Sequence, residues 1–156
     1  MSHTPFTQRA FEDALRRMFE DSVPFNAVLG LRIASFDPDR TRLAFDMRPD
    51  LVGNYALGIL HGGVVSAVLD VMAGFSIMVR LAHEKPEETL EAQLGRFRKL
   101  GTIDLRIDYL RPGRGTRFLA AGSVLRLGSK VASVRMELEN DAGELIATGA
   151  ASFIVA

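Results

Sequence analysis

A chain of 156 residues with 47% apolar side chains can bury a sizeable core, which excludes a disordered chain. The absence of cysteine rules out thiol catalysis, disulfides and cysteine-ligated zinc. The formal net charge is zero, yet ten basic residues face only Asp104 and Asp108 between Arg96 and Arg135, a local balance of +8. Such asymmetry fits either an anionic ligand or solvated strand faces. Few aromatic residues interleave with these charges, which argues against nucleic acid.

Residues 1–17 contain no apolar signal-peptide core, and together with the lack of cysteine this suggests a cytoplasmic protein. Phe6, Ala10, Phe11, Ala14, Leu15, Met18 and Phe19 recur at helical spacing, with Thr4-Pro5 as the expected cap. Residues 1–24 then read as a helical extension of one domain spanning 1–156. Pro24 opens a short turn, irregular or helical. Leu31–Phe36 and Arg40–Met47 read as strands around Asp37-Pro38-Asp39, with Thr41, Leu43, Phe45 and Met47 on one face. Pro49–Leu60 reads as a loop.

From Gly62 to about Ala82 the pattern is helical and apolar on every side, as in a helix enclosed by protein or spanning a membrane. Asp70, near the centre, would cost about 2.5–3.5 kcal/mol in mid-membrane, so the expectation is a buried helix and no membrane. His83–Leu100 is polar, a helical excursion or a mobile flap. The period then becomes two: Ile103, Leu105, Ile107 and Tyr109 alternate with Thr102, Asp104, Arg106 and Asp108. Arg117–Leu127, Val131–Glu139 and Leu145–Val155 follow as strands, the last two joined by a hairpin at Asp141-Ala142-Gly143. Strands on both sides of one buried helix predict an α+β fold, a curved antiparallel sheet wrapped around that helix.

Chemistry concentrates between Asn54 and Asp70. His61-Gly62-Gly63 opens the apolar helix, where backbone N–H groups point outward without intrahelical partners. Asp70 is a lone carboxylate in apolar surroundings, costly unless paired or used. N–H donors for a developing oxyanion and a carboxylate to attack or to deprotonate water suit hydrolysis of an activated acyl group. No Gly-x-Ser-x-Gly elbow, phosphate-binding loop or metal-ligand spacing is present.

The loop ending in His61-Gly62-Gly63 and Asp70 nine positions after the histidine resemble the hotdog-fold thioesterases, in their PaaI-like branch. So do Gly101–Pro112, Gly128-Ser129-Lys130 and Asp141-Ala142-Gly143. The likeness covers roughly Phe25 to Val155. It implies a hotdog fold and a homodimer with joined sheets, often paired again into a tetramer. It also implies hydrolysis of acyl-coenzyme A thioesters with no metal or organic cofactor. The family's helix carboxylate falls on Asp70, its oxyanion N–H on Gly62, an assisting hydroxyl on Thr102, and an upstream asparagine on Asn54, one residue further from His61-Gly62-Gly63 than usual. Gly63, Arg111, Arg114 and Lys130 are the candidates for contacting coenzyme A, the basic three because strand-end loops can present them together.

Asp70 would act as general base or as nucleophile, Thr102 would hold water or the aspartate, and His61 would orient or support more readily than serve as base. A structural carboxylate at Asp70 and ordinary packing glycine at Gly62 are the plain alternatives. A hotdog dehydratase, with His61 as base, and a non-catalytic acyl-CoA-binding module are the other functional classes. Met47, Val65, Met72, Phe75 and Met78 would line an apolar tunnel or simply fill the core. Spacing alone adds one expectation. Eight residues of helix separate the Gly62 and Asp70 backbones by about 12 Å, too far for one carbonyl to engage both. Each site should therefore take Gly62 from one subunit and Asp70 from the other.

Overall fold

The computed structural model describes residues 7–156. The expected Thr4-Pro5 cap lies outside them. The first described helix, α1 (Gln8–Arg16), is capped by Thr7, whose hydroxyl accepts the Ala10 N–H at 3.2 Å. A π-turn over Arg17–Ser22 leads to α2 (Pro24–Leu29), which has proline in its first turn and ends at Gly30 with φ 69°, left-handed backbone that glycine adopts freely.

Strands β1 (Arg32–Ser35) and β2 (Thr41–Asp46) precede the segment read as a loop. That segment holds a 3-10 turn, Pro49–Leu51, and a small hairpin of β3 (Val52–Asn54) and β4 (Ile59–Leu60). Its strands are too short for periodicity to register. The long helix α3 (Gly62–Glu84) follows, then α4 (Leu90–Gly95) and a 3-10 turn, Arg96–Lys99, so the polar segment after α3 is largely helical. The chain closes with β5 (Gly101–Tyr109), β6 (Arg117–Leu127), β7 (Val131–Asn140) and β8 (Leu145–Ile154).

Six strands form one antiparallel sheet in the order β1-β2-β6-β7-β8-β5. Helix α3 packs across it, touching β2, β5, β6, β7 and β8. Alternate residues of the strands, among them Leu43, Phe45, Phe118, Met136 and Leu138, meet Leu69, Met72, Phe75 and Ile77 of the helix in one core. Phe45 stacks on Phe118 with ring centroids 5.2 Å apart. Met72, Phe75 and Met78 are fully enclosed here and Met47 packs at the margin, so these residues fill the core, while the buried Val65 lies at its edge. Gly122 lets helix and sheet approach: a Cβ there would stand 2.2 Å from Ser76 Oγ. Thr41 and Ser76, both buried, share a 2.7 Å hydrogen bond across the same contact.

The helix has the length and hydropathy of a membrane span, but most of it is buried against the sheet. It is not equally buried all round. Ala67, Asp70, Val71 and Gly74 remain half-covered, on a side that the sheet of this chain covers only in part. Strand β5 is also incompletely covered, because only β8 pairs with it. Ile103 and Tyr109, which alternation groups with Leu105 and Ile107, are 58% and 56% exposed.

Candidate active site

Asp70 sits two turns into α3, on the half-covered side. The Thr102 hydroxyl donates to Asp70 Oδ1 at 2.9 Å, and no other hydrogen bond among the described residues engages this carboxylate. The contact depends on a fault in the strand. Thr102 pairs with Phe153 and Asp104 with Ser152, so Ile103 is an extra residue, a β-bulge. Strict alternation would turn Thr102 away from the face that carries Leu105 and Ile107. With the bulge, Thr102 reaches the helix while Leu105 and Ile107 still pack on the core.

Asp70 and Thr102 open into a cavity of about 270 Å³ whose walls are mainly apolar, including Phe19, Val71, Phe97, Leu100 and Phe153. Asn26 of α2 joins this lining. It is buried, and its Nδ2 donates to Phe19 O at 3.0 Å. Sequence reasoning passed over Asn26, although an asparagine among the apolar residues of a short helix is a signal that could have found it.

Gly62 occupies a different opening. Residues Ile59, Leu60, Gly62, Val65, Tyr109 and Arg111 border a second cavity of about 390 Å³. At the start of α3, His61 Nδ1 accepts the Gly63 N–H at 2.8 Å, and His61 O accepts those of Val64 and Val65. No hydrogen bond among the described residues takes the Gly62 N–H. The Tyr109 hydroxyl donates to Gly62 O at 2.8 Å, bracing the helix start against the end of β5. The alternation of β5 groups Tyr109 only with the apolar residues of the strand. Its polar tip is what ties it to the site.

His61 is thus the N-cap of α3. With Nδ1 accepting, the neutral ring carries its proton on Nε2. Gly63 is committed to the same cap, and a Cβ on it would stand 2.9 Å from His61 Nδ1. Asn54 lies at the β3–β4 turn, where its Oδ1 accepts the Ala56 and Leu57 N–H groups, and it borders neither cavity.

The basic residues do not gather as expected within one chain. Arg111 borders the Gly62 cavity, its guanidinium donating to Leu145 O at 2.9 Å, and Arg114 lies in the turn beyond it. Lys130 belongs to the opposite end of the sheet, where its carbonyl accepts the Val155 N–H close to the start of β5. The strands between are extended, and their length keeps the two ends apart.

One protomer therefore holds Gly62 and Asp70 at two separate openings. A carboxylate with one oxygen free of hydrogen bonds faces an apolar cavity. A backbone N–H at the positive end of a long helix faces another. Neither alone can both attack a carbonyl and stabilise the resulting oxyanion.

Comparison with known proteins agrees with this architecture. The family model of the thioesterase superfamily matches residues 57–147, from the β3–β4 hairpin into β8. The medium/long-chain acyl-CoA thioesterase YigI of Escherichia coli is 45% identical over 148 residues, which span 92% of this chain and 95% of YigI. YigI of Salmonella typhimurium matches to the same extent. A crystal structure from Shewanella oneidensis, described as related to the thioesterase superfamily, superposes with a TM-score of 0.90 at 41% identity, covering 98% of this chain and all of the other. With α3, β5, β6, β7 and both Gly62 and Asp70 inside the span that the family model matches, and with YigI similar along nearly the whole chain, the chain belongs to the thioesterase superfamily.

Proposed function

We propose that this protein hydrolyses acyl-coenzyme A thioesters as a homodimer of the PaaI-like branch, each active site combining Asp70 and Thr102 of one subunit with the Gly62 N–H of the other. The Asp70–Thr102 pair facing an apolar cavity carries the reading. It supplies a positioned carboxylate oxygen beside a space suited to an acyl group. The name and the close similarity of YigI support the substrate class.

The arrangement of β5 supports the dimer. It is a nine-residue edge strand with exposed apolar side chains, a surface that invites pairing with a second copy. Antiparallel pairing about a two-fold axis sets the Thr102 end of one β5 against the Tyr109 end of the other. The half-covered stripe of α3 would be covered by the same association. Arg111 and Arg114 of one subunit would then approach Lys130 of the other, placing positive charge where coenzyme A phosphates could dock. A pairing of two such dimers would follow the family's habit.

In the reaction, the thioester carbonyl oxygen points to the Gly62 N–H and the acyl group enters the Asp70 cavity. The free oxygen of Asp70 takes a proton from water, which attacks the carbonyl carbon. The C–S bond breaks as the tetrahedral oxyanion collapses, and the proton passes to the departing thiolate. Direct attack by the same oxygen, through a mixed anhydride that water then opens, would use the same geometry. His61 stays at the helix cap in either route, which disfavours a dehydratase built on a histidine base.

Asp70→Asn should lower kcat by about 10²–10⁴, the usual worth of a positioned base, while the protein stays folded. Free-thiol release from a panel of acyl-CoAs measures this. A wild-type protein that turns over none of them would overturn the reading.

A further inference from the structure

The segment between α3 and β5 is left without a role by the reaction above. It braces itself: the Gln93 Nε2 donates to Lys85 O at 2.9 Å, and Arg96 forms an ion pair with Glu88. Toward the rest of the molecule it presents Leu90, Leu94, Phe97 and Leu100, which pack on the core from outside. A unit with internal polar ties and an apolar underside is built to cover something apolar.

What it covers is continuous with the site. Phe97 and Leu100 wall the Asp70 cavity. On its other side Phe97 borders a larger space of about 710 Å³, bounded by Met18, Leu90, Leu94 and Arg98, between the N-terminal helical region and α4. Phe97 is common to both linings. It leans edge-on against Phe19, with ring centroids 5.8 Å apart at 69°, and Phe19 in turn contacts Phe75 of α3 at 5.3 Å.

We propose that Phe97 is the specificity-determining residue for acyl length: the acyl tail runs from Asp70 into the inner cavity, and the Phe97 ring divides that cavity from the outer space under α4. This rests on the thioesterase reading. The inner cavity is small for a lipid-like tail, whereas the outer one lies in the size range of ligand pockets. The inner cavity joins apolar walls to the polar pair, as an acyl tail attached to a reacting carbonyl requires, and the outer space continues with Met18, Leu90 and Leu94, with Glu91 and Arg98 also on its border.

The test is a series of straight-chain acyl-CoAs from hexanoyl to hexadecanoyl, with kcat/KM measured for each. Non-hydrolysable thioether analogues give binding in parallel. Phe97→Ala should move the preference to longer chains and Phe97→Trp to shorter ones, each methylene gained or lost counting about tenfold. Leu94→Trp added to Phe97→Ala should reverse the extension by filling the outer space. If Phe97→Ala fails to fold, Phe97→Leu and Phe97→Trp keep the ring position apolar and carry the same test. An unchanged chain-length profile, or an equal loss at every length, overturns the proposal. So does a change in dimer dissociation without a change in profile, which would assign the cavity to subunit packing. Wild-type protein that binds the analogues with a Phe97-dependent length preference but releases no thiol would refute hydrolysis and retain the channel.

Discussion

Proline is the informative substitution at Gly62, because the role proposed for this residue belongs to its backbone N–H and not to a missing side chain. His61 has φ −67° and ψ 135°, extended backbone of the kind that precedes proline, and the first residue of a helix needs no N–H of its own. Gly62→Pro should therefore keep α3 intact, as circular dichroism would report, yet lower kcat by about 10²–10³ through loss of the oxyanion donor. In Gly62→Ala the N–H survives, and the added Cβ would stand 3.5 Å from the Tyr109 ring, an ordinary contact. That variant should lose far less activity than the proline variant. Equal losses in the two would assign Gly62 to packing.

At the scale of elements, local hydrogen bonding decides how the strands present their residues. The bulge at Ile103 turns Thr102 toward Asp70 without disturbing the packing of Leu105 and Ile107. The β7–β8 turn is tied to the loop before β6 by Asp141, whose carboxylate accepts the Thr116 hydroxyl at 2.7 Å and the Thr116 N–H at 3.3 Å. The hydroxyl bond is the main cause holding the Asp141 carboxyl below its ordinary value of 3.8. A carboxyl depressed by folding stabilises the native state above that value, and the stabilisation is lost as pH falls through the folded-state pKa. Asp141→Asn should thus lower Tm at neutral pH, with the gap from wild type closing under acid. A gap independent of pH would show that the contact does not depend on the charge.

At the scale of the whole molecule, the prediction concerns what a single chain lacks. Ile103 is exposed in the protomer and stands on the open sheet edge, so Ile103→Asp should leave the fold intact while opposing edge pairing. Light scattering should show dissociation to monomers, and thiol release should fall with it. Mixing Gly62→Pro with Asp70→Asn tests the shared site directly. Each heterodimer regains one complete site, so activity should return as subunits exchange. Verified exchange without recovery would place both groups of a site on one chain.

The sequence by itself determined the parts whose causes are local. The long apolar helix with its single aspartate and the period-two strands from Arg117 onward follow from residue spacing, and the structure places them close to the expected limits. The family could be read from His61-Gly62-Gly63 and Asp70, and the separation of Gly62 from Asp70 from helix rise alone. The tertiary structure decided the rest. Strict alternation would turn Thr102 away from Asp70, and the bulge that turns it back is a matter of pairing with β8 that leaves no periodic trace in β5. Arg111 and Lys130 both sit at strand ends, but the register of β5, β7 and β8 puts them at opposite ends of the strands. Phe97 and Asn26 gained a relation to Asp70 only when α2, α3 and the segment before β5 closed around one cavity. Periodicity reports which way a side chain points along its own element. Which elements then share a space depends on long-range packing, which no local window contains.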